Sequence, residues 1–286
     1  MSRVAYVNGL YVPHAEAAVH VEDRGYQFAD GVYEVCEVRG GRMVDERRHM
    51  ERLQRSLREL RIVMPMSLAA LGVVLRETIR RNRVREGMVY LQVTRGVARR
   101  DHYFPAPDTP PSIVVTARST DAAKAAAAAA NGAAIITVPD NRWERVDIKT
   151  VGLLPNVLAK QAAKEAGARE AWFVRDGVVT EGGSTNAWIV TAAGAIITRP
   201  ADSGILRGIT RTVLFEVANR LGLTVEERGF TLEEAFAARE AFISSASNVV
   251  VPIVTIDGKT IGDGKPGPVA RSLRDSFYNV AEFARK

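Results

Sequence analysis

The sequence predicts an α+β protein of two domains with largely antiparallel sheets. Three observations carry that prediction. Strand-like runs are joined by tight turns at Asn8-Gly9, Asp176-Gly177 and Ala193-Gly194, which favour antiparallel hairpins. Helical and strand periodicities follow one another without the regular alternation of a barrel or doubly wound sheet. An alanine-rich tract, Ala122 to Ala130, interrupts otherwise ordinary composition.

Taken in order, Val4 to Val7 and Leu10 to Val12 flank Asn8-Gly9, whose residues tolerate positive φ. Val32 to Val38 reads as a strand, closed by Gly40-Gly41 and followed by Met43-Val44. Met50, Leu53, Leu57 and Leu60 recur at helical spacing and predict a helix over Glu46 to Arg61; a second covers Leu68 to Arg83. Strands follow at Met88 to Arg95 and Ile113 to Arg118. Alanine favours helix but offers little side chain for a core, so Ser119 to Asn131 reads as linker plus a short surface helix. The domains are therefore 1–120 and 132–286, with 121–131 between them. The second opens with a strand over Ala133 to Val138, then the stretch Trp143 to Thr150. Asn156 to Ala166 is helical and stopped by Gly167. Hairpins pair Ala171 to Arg175 with Val178 to Glu181, and Ala187 to Val190 with Ala195 to Thr198. A helix over Thr210 to Leu221 ends at Gly222, strands lie at Phe242-Ile243 and Val249 to Thr255, and Pro268 to Phe283 closes the chain as a helix.

The 286 residues, 47% hydrophobic and 25% charged, exclude a disordered or collagen-like chain. The net charge is +6 and the pI near 9.6, from 39 basic and 33 acidic residues; only 7 of the basic residues are lysine and 32 are arginine. The densest arginines, Arg42 to Arg61 and Arg76 to Arg85, alternate with glutamate and leucine as solvated helix faces do, and no zinc-finger or aromatic RNA-binding pattern appears. Nucleic acid is therefore not an expected partner. A single cysteine, Cys36, excludes an intramolecular disulfide and thiolate zinc sites; in its alternating strand it reads as a buried hydrophobe. No metal is expected. With no apolar core of signal-peptide length after Met1 and no membrane-length apolar run, the expectation is a cytoplasmic protein without a membrane partner.

Seven lysines can be sorted by context. Lys160 and Lys164 lie four apart on a helix, Lys124 interrupts the alanine tract, Lys259 follows a turn, Lys265 lies between Gly264 and Pro266, and Lys286 ends the chain. Lys149 alone has an apolar frame, Val146-Asp147-Ile148-Lys149-Thr150-Val151. From spacing, a snorkelling strand lysine and a desolvated nucleophilic amine both remain open. A second feature, Thr180-Glu181-Gly182-Gly183-Ser184-Thr185-Asn186, ends a strand on a carboxylate, then two glycines and three hydrogen-bonding side chains. In a third, Gly208 precedes a helix whose first turn carries Thr210, an arrangement that favours anions. There is no GxGxxG and no P-loop. Amine, carboxylate and helix-terminal anion cup together are the parts that pyridoxal phosphate requires.

Asp23 to Glu34, Asp147-Ile148-Lys149, Thr180-Glu181-Gly182, Gly208-Ile209-Thr210-Arg211 and Phe242-Ile243-Ser244-Ser245 occur in that order. Together they resemble the fold-type IV pyridoxal-phosphate aminotransferases (class IV), most closely the D-amino acid aminotransferases, over nearly the whole chain. The resemblance implies a two-domain architecture with the cofactor at the domain interface and the Schiff-base lysine, Lys149, in the C-terminal domain. Lys149 also shuttles the proton there. Glu181 faces the pyridine nitrogen, Leu206 packs on the ring, and Arg52, Gly208, Ile209, Thr210, Ser245 and Ala246 surround the phosphate. A hydroxyl residue is common where Ala246 stands, so a side-chain hydrogen bond is lost unless Ser247 reaches in. Tyr33, Arg100 and His102 correspond to the clamp on the substrate carboxylate, although Arg99 competes for the arginine's place. Val35, sharing a strand face with Tyr33, lines the side-chain pocket, with Ser184 and Thr185 also on the substrate side. The implied reaction is ping-pong transamination of D-amino acids with 2-oxoglutarate or pyruvate as acceptor, by a homodimer. A branched-chain L-amino acid aminotransferase, an (R)-amine transaminase and, more distantly, an aminodeoxychorismate lyase share the fold.

Overall fold

The computed structural model describes residues 3–284; Met1 and Lys286 lie outside the described residues. The chain divides into two compact units. The first takes the chain to Thr120, adds Ile148–Gly152, and takes the chain end from Glu282. It opens with β1 (Val4–Val7) and β2 (Leu10–Pro13), turned by Asn8 and Gly9 at φ 45° and 102°. Then come α1 (Arg24–Phe28), β3 (Gly31–Arg39), β4 (Arg42–Met43), α2 (Glu46–Glu59), α3 (Leu68–Arg81), β5 (Gly87–Thr94) and β6 (Ser112–Ser119). Its six strands lie in the order β2-β1-β6-β5-β3-β4, antiparallel throughout.

Strand alternation sorts the residues of β3. Glu34, Cys36 and Val38 are buried against Met50, Leu53 and Leu57 of α2 and Leu71 and Leu75 of α3, while Tyr33 and Val35 share the other, half-buried face. Lys149, expected in the C-terminal domain, groups with the first unit here. β4 pairs only with Val38 and Arg39, so the edge of β3 at Gly31–Tyr33 is open to another segment. Residues 149–151 fill it: Tyr33 donates its N–H to the Lys149 carbonyl at 3.0 Å, and Val151 donates to Gly31 at 3.0 Å. Ile148 is buried in the same core.

The closing helix is shorter than its sequence suggests. α-Helical geometry ends at Ser276, a 3-10 turn covers Phe277–Asn279, and the chain end joins the first unit instead. There Asp45 donates to the Glu282 carbonyl at 2.7 Å and Ala284 to Met43 at 3.0 Å.

In chain order the second unit contains α4 (Ala122–Asn131), β7 (Ala133–Pro139), α5 (Leu154–Glu165), β8 (Glu170–Arg175), β9 (Val178–Gly182), β10 (Asn186–Val190), β11 (Ile196–Thr198), α6 (Ile209–Arg220), β12 (Val225–Glu227), α7 (Leu232–Phe236), β13 (Glu240–Ser245), β14 (Val249–Ile256), β15 (Lys259–Thr260) and α8 (Pro268–Ser276). Its nine-stranded sheet runs β12-β11-β10-β13-β14-β7-β8-β9, with β15 on β14. Most pairs are antiparallel; β11–β12, β14–β7 and β7–β8 are parallel. The alanine tract is more than a linker, because Ala128 of α4 packs against the core that holds Trp172, Phe230 and Ile243.

The arginines also depart from expectation. Outside the two dense groups, Arg24, Arg95, Arg142 and Arg211 are all below one-tenth exposed, and each is paired with a carboxylate. The half-exposed Lys160 pairs with the buried Glu170 at 3.1 Å. Cys36 is buried as expected, and burial, with Glu34 nearby, pushes its thiol well up.

Candidate active site

In the first unit Lys149 is held by its backbone. Besides accepting from Tyr33, it donates its N–H to Ser56 Oγ at 3.4 Å, and the neighbouring Thr150 bridges to Val32. Its Nζ stands 4.0 Å from the centre of the Tyr33 ring, and among the described residues it makes no ion pair. An ammonium over an aromatic face is weakly stabilised compared with one on a carboxylate. The amine thus stays half-buried beside a phenol without a fixed counterion. Tyr33 in turn stacks on Tyr90 at 5.7 Å, whose hydroxyl donates to Gln92 at 2.7 Å. Burial, with Tyr33 adjacent, pushes Tyr90 up to about 12, so it is a neutral donor.

Arg52 lies on α2, directly behind β3. Its Nε and Nη2 donate to the two oxygens of Glu34 at 2.7 and 2.8 Å, and His49 Nδ1 stands 2.7 Å from Glu34 Oε2. Burial opposes the charge on Glu34, but Arg52 and His49 outweigh it and hold the carboxyl far below the usual range. The guanidinium is therefore fixed edge-on by an ionised, fully buried carboxylate.

Arg100 and His102 lie in the exposed loop after β5 and converge on Phe28 of α1. The Arg100 guanidinium is 5.0 Å and the His102 ring 5.5 Å from its centre. Arg24 approaches the same ring at 4.8 Å and donates to the Asp101 carbonyl, between the two, at 2.7 Å. Arg24 and Arg95 are both tied to Asp30, whose carboxyl burial would raise; their hydrogen bonds and charges override that and lower it. Among the described residues neither Arg100 nor His102 makes a hydrogen bond or ring contact with Tyr33 or Lys149. Arg99 is exposed as well.

The second unit builds a cluster around Glu181, at the end of β9. Arg142 Nη1 donates to its Oε1 at 2.5 Å, Asn186 Nδ2 to Oε2 at 3.1 Å, and the Leu206 N–H reaches both oxygens at 3.2 Å. Arg142 also pairs with Asp140, at 2.9 Å. Burial disfavours the Arg142 charge, yet Asp140 and Glu181 raise its pKa; burial likewise opposes Asp140, whose carboxyl Arg142 keeps lowered. Asn186 closes the arrangement by donating to the Leu206 carbonyl at 2.9 Å. A Cβ on Gly208 would stand 2.1 Å from Asn186 Oδ1, so glycine is required there by this asparagine.

Gly208 caps α6, whose first residues are Ile209 and Thr210. The opening N–H groups of a helix have no partner within it, and the helix dipole makes that end attractive to anions. Ser245, Ala246 and Ser247 form the turn after β13, the strand on which α6 packs. Ser247 Oγ does reach Ser245 Oγ, at 3.2 Å, beside the alanine that interrupts the hydroxyl pattern. Ser184 Oγ is committed to Glu170 at 2.9 Å, whereas Thr185 Oγ1 is buried with no partner among the described residues.

Glu34, His49, Arg142 and Asn186 escape a reading of the sequence. Asn186 stands in a motif already singled out; Arg142 is one arginine among 32, with nothing local to mark it. Among the described residues no group of side chains is able to bind a metal ion, and no helix is long and apolar enough to cross a membrane.

Residues 31–256 match the family described as amino-transferase class IV. The chain is 43% identical to a D-alanine aminotransferase of Bacillus licheniformis over 272 residues, 95% of each chain. It is 40% identical to one from Staphylococcus haemolyticus over 277 residues, 97% of each. Among solved structures it is similar to the branched-chain amino acid aminotransferase of T.th. with pyridoxamine 5'-phosphate (TM-score 0.88, 28% identity, 98% of this chain and 94% of that one). The Escherichia coli branched-chain amino acid aminotransferase superposes with a TM-score of 0.89 at 24% identity, over 98% and 95% of the two chains, a likeness of fold.

Proposed function

The chain belongs to the class IV aminotransferases, and from that premise we propose that it transfers the amino group of D-amino acids to 2-oxoglutarate or pyruvate. Its cofactor is pyridoxal phosphate. The observation that carries the D-specific reading is the 43% identity, end to end, with a D-alanine aminotransferase. The Arg100–Phe28–His102 arrangement supports it, because it places two cationic or donor groups on one exposed loop.

The residues fit the cofactor by the chemistry of their donors. Among the described residues Lys149 offers an amine that makes no ion pair, and Glu181 a buried carboxylate oriented by Arg142, Asn186 and the Leu206 N–H. Thr185 Oγ1 is a buried polar atom with no hydrogen-bond partner among the described residues. Pyridoxal phosphate, when bound, supplies a carbonyl carbon for the amine and a ring that delocalises negative charge from the substrate Cα. Lys149 Nζ would bind it and then take and return the Cα proton. Glu181 would hold a proton on the ring nitrogen. Arg52, the N–H groups of Ile209 and Thr210, and the Ser245–Ala246 turn would bind the phosphate, with Leu206 against the ring. Tyr33, Arg100 and His102 would orient the substrate carboxylate, and Val35 would bound its side chain. Release of the first product before the acceptor enters gives a ping-pong scheme, in a homodimer.

Likeness to branched-chain aminotransferases favours one rival reading, transfer from branched L-amino acids. Amino transfer to 2-oxoglutarate from D-alanine and from L-leucine, measured side by side, separates the two. Turnover of D-alanine is expected; turnover of L-leucine alone would overturn the D-specific reading.

A further inference from the structure

Among the non-glycine residues with positive φ, Val249 at 58° carries a branched Cβ, for which that region is least accessible. It is 3% exposed and pairs with Ser245 across the β13–β14 turn. Asn248 donates its N–H to the Ser245 carbonyl at 3.3 Å, so Ser245 to Asn248 is a hydrogen-bonded turn followed by a left-handed residue. Glycine is the residue that normally closes a three-residue hairpin of this kind. A valine holds the conformation only where its surroundings impose it.

Those surroundings are visible. Arg274 Nη1, from α8, donates to the Asn248 carbonyl and to the Val250 carbonyl at 2.7 Å, gripping the backbone on both sides of Val249. Arg169 Nη2 donates to Asn248 Oδ1 at 3.0 Å. From Asn248 the chain of bonds continues through Ser247 Oγ (2.8 Å) to Ser245 Oγ (3.2 Å). Two arginines from outside the turn thus determine where Ser245, Ser247 and the Ala246 N–H point. With alanine at 246 the turn has one hydroxyl fewer, and its remaining donors depend more on backbone placement.

We propose that Arg274 is a positioning residue for the cofactor phosphate: it holds the Ser245–Val249 turn in its left-handed closure, so that the turn's donors meet the phosphate. The proposal rests on the assignment of Ser245 and Ala246 to the phosphate. Without Arg274, Val249 is free to leave positive φ and the donors turn away.

The test uses the full-length chain stripped of cofactor, titrated with pyridoxal phosphate and with pyridoxal, which lacks the phosphate, by tryptophan fluorescence. Arg274→Ala is expected to weaken pyridoxal phosphate about tenfold, the scale of a lost charge-assisted hydrogen bond, and to leave pyridoxal unchanged. Val249→Gly, which adopts positive φ without the clamp, is expected to restore affinity within about threefold when added to Arg274→Ala. Equal weakening of both ligands, or a double variant no tighter than Arg274→Ala, would overturn the proposal. Should the alanine variant not fold, Arg274→Gln carries the same measurements. Ser245→Ala tests the underlying assignment separately: if it leaves the preference for the phosphorylated ligand intact, that assignment fails. If it removes the preference while the Arg274 variants do not, only the role of Arg274 fails.

Discussion

Replacing Glu34 by glutamine removes one charge from the centre of the first unit and changes almost nothing in shape. Glu34 is fully buried and accepts from Arg52 twice, at 2.7 and 2.8 Å, with His49 at 2.7 Å. In Glu34→Gln the guanidinium loses its counterion and one acceptor becomes an NH2 group facing donors. Breaking a buried pair from one side costs about 3–5 kcal/mol, and the remaining amide oxygen keeps the loss near the lower end, about 3 kcal/mol. For a chain of this size that lowers Tm by roughly 6–12 °C. The cost also carries a pH signature. The folded carboxyl lies far below its ordinary value of 4.5, so its stabilisation is complete above that pH and is lost as pH falls toward the folded value. The gap between wild type and Glu34→Gln should be nearly constant from pH 7 to about 5 and shrink by about 2 kcal/mol between pH 5 and 3. Urea unfolding of both cofactor-free proteins across that range measures it. A gap below about 1 kcal/mol at pH 7, or one that does not narrow in acid, would refute the reading of a buried ionised carboxylate holding Arg52.

Arg100→Ala should raise KM for D-alanine by about 10–100-fold while cofactor loading, read from visible absorbance, stays unchanged; equal losses of both would indicate a structural arginine. Arg142→Leu removes the guanidinium that joins Glu181 to Asp140, leaving Asp140 the more distant Arg175 at 3.6 Å, and should destabilise the cofactor-free protein by about 3 kcal/mol. Adding Glu181→Gln to that variant should cost far less than it does alone, and strict additivity in urea unfolding would contradict the pairing. Cys36, buried with its thiol pushed up, should ignore Ellman's reagent in the native protein at pH 8 and react in urea; native reaction would place it at the surface.

Local chemistry was legible in the sequence and non-local pairing was not. The Asn8-Gly9 and Asp176-Gly177 turns and the helical spacing of Met50, Leu53 and Leu57 are contained within a few residues, and each element forms where they indicate. Lys149 could be picked out by its apolar frame, yet its place in the first unit depends on an edge of β3 more than a hundred residues earlier. Likewise the place of residues 282–284 depends on Met43 to Asp45, which a reading of the closing helix cannot see. Arg52 is identified through resemblance, but Glu34, which fixes it, only closes the Asp23 to Glu34 motif, and nothing in the sequence pairs it with an arginine 18 residues on.

The configuration of the product tests the central claim most directly. With racemic glutamate as donor and pyruvate as acceptor, chiral chromatography of the products should find D-alanine formed and L-glutamate left over. Formation of L-alanine, with D-glutamate remaining, would contradict it.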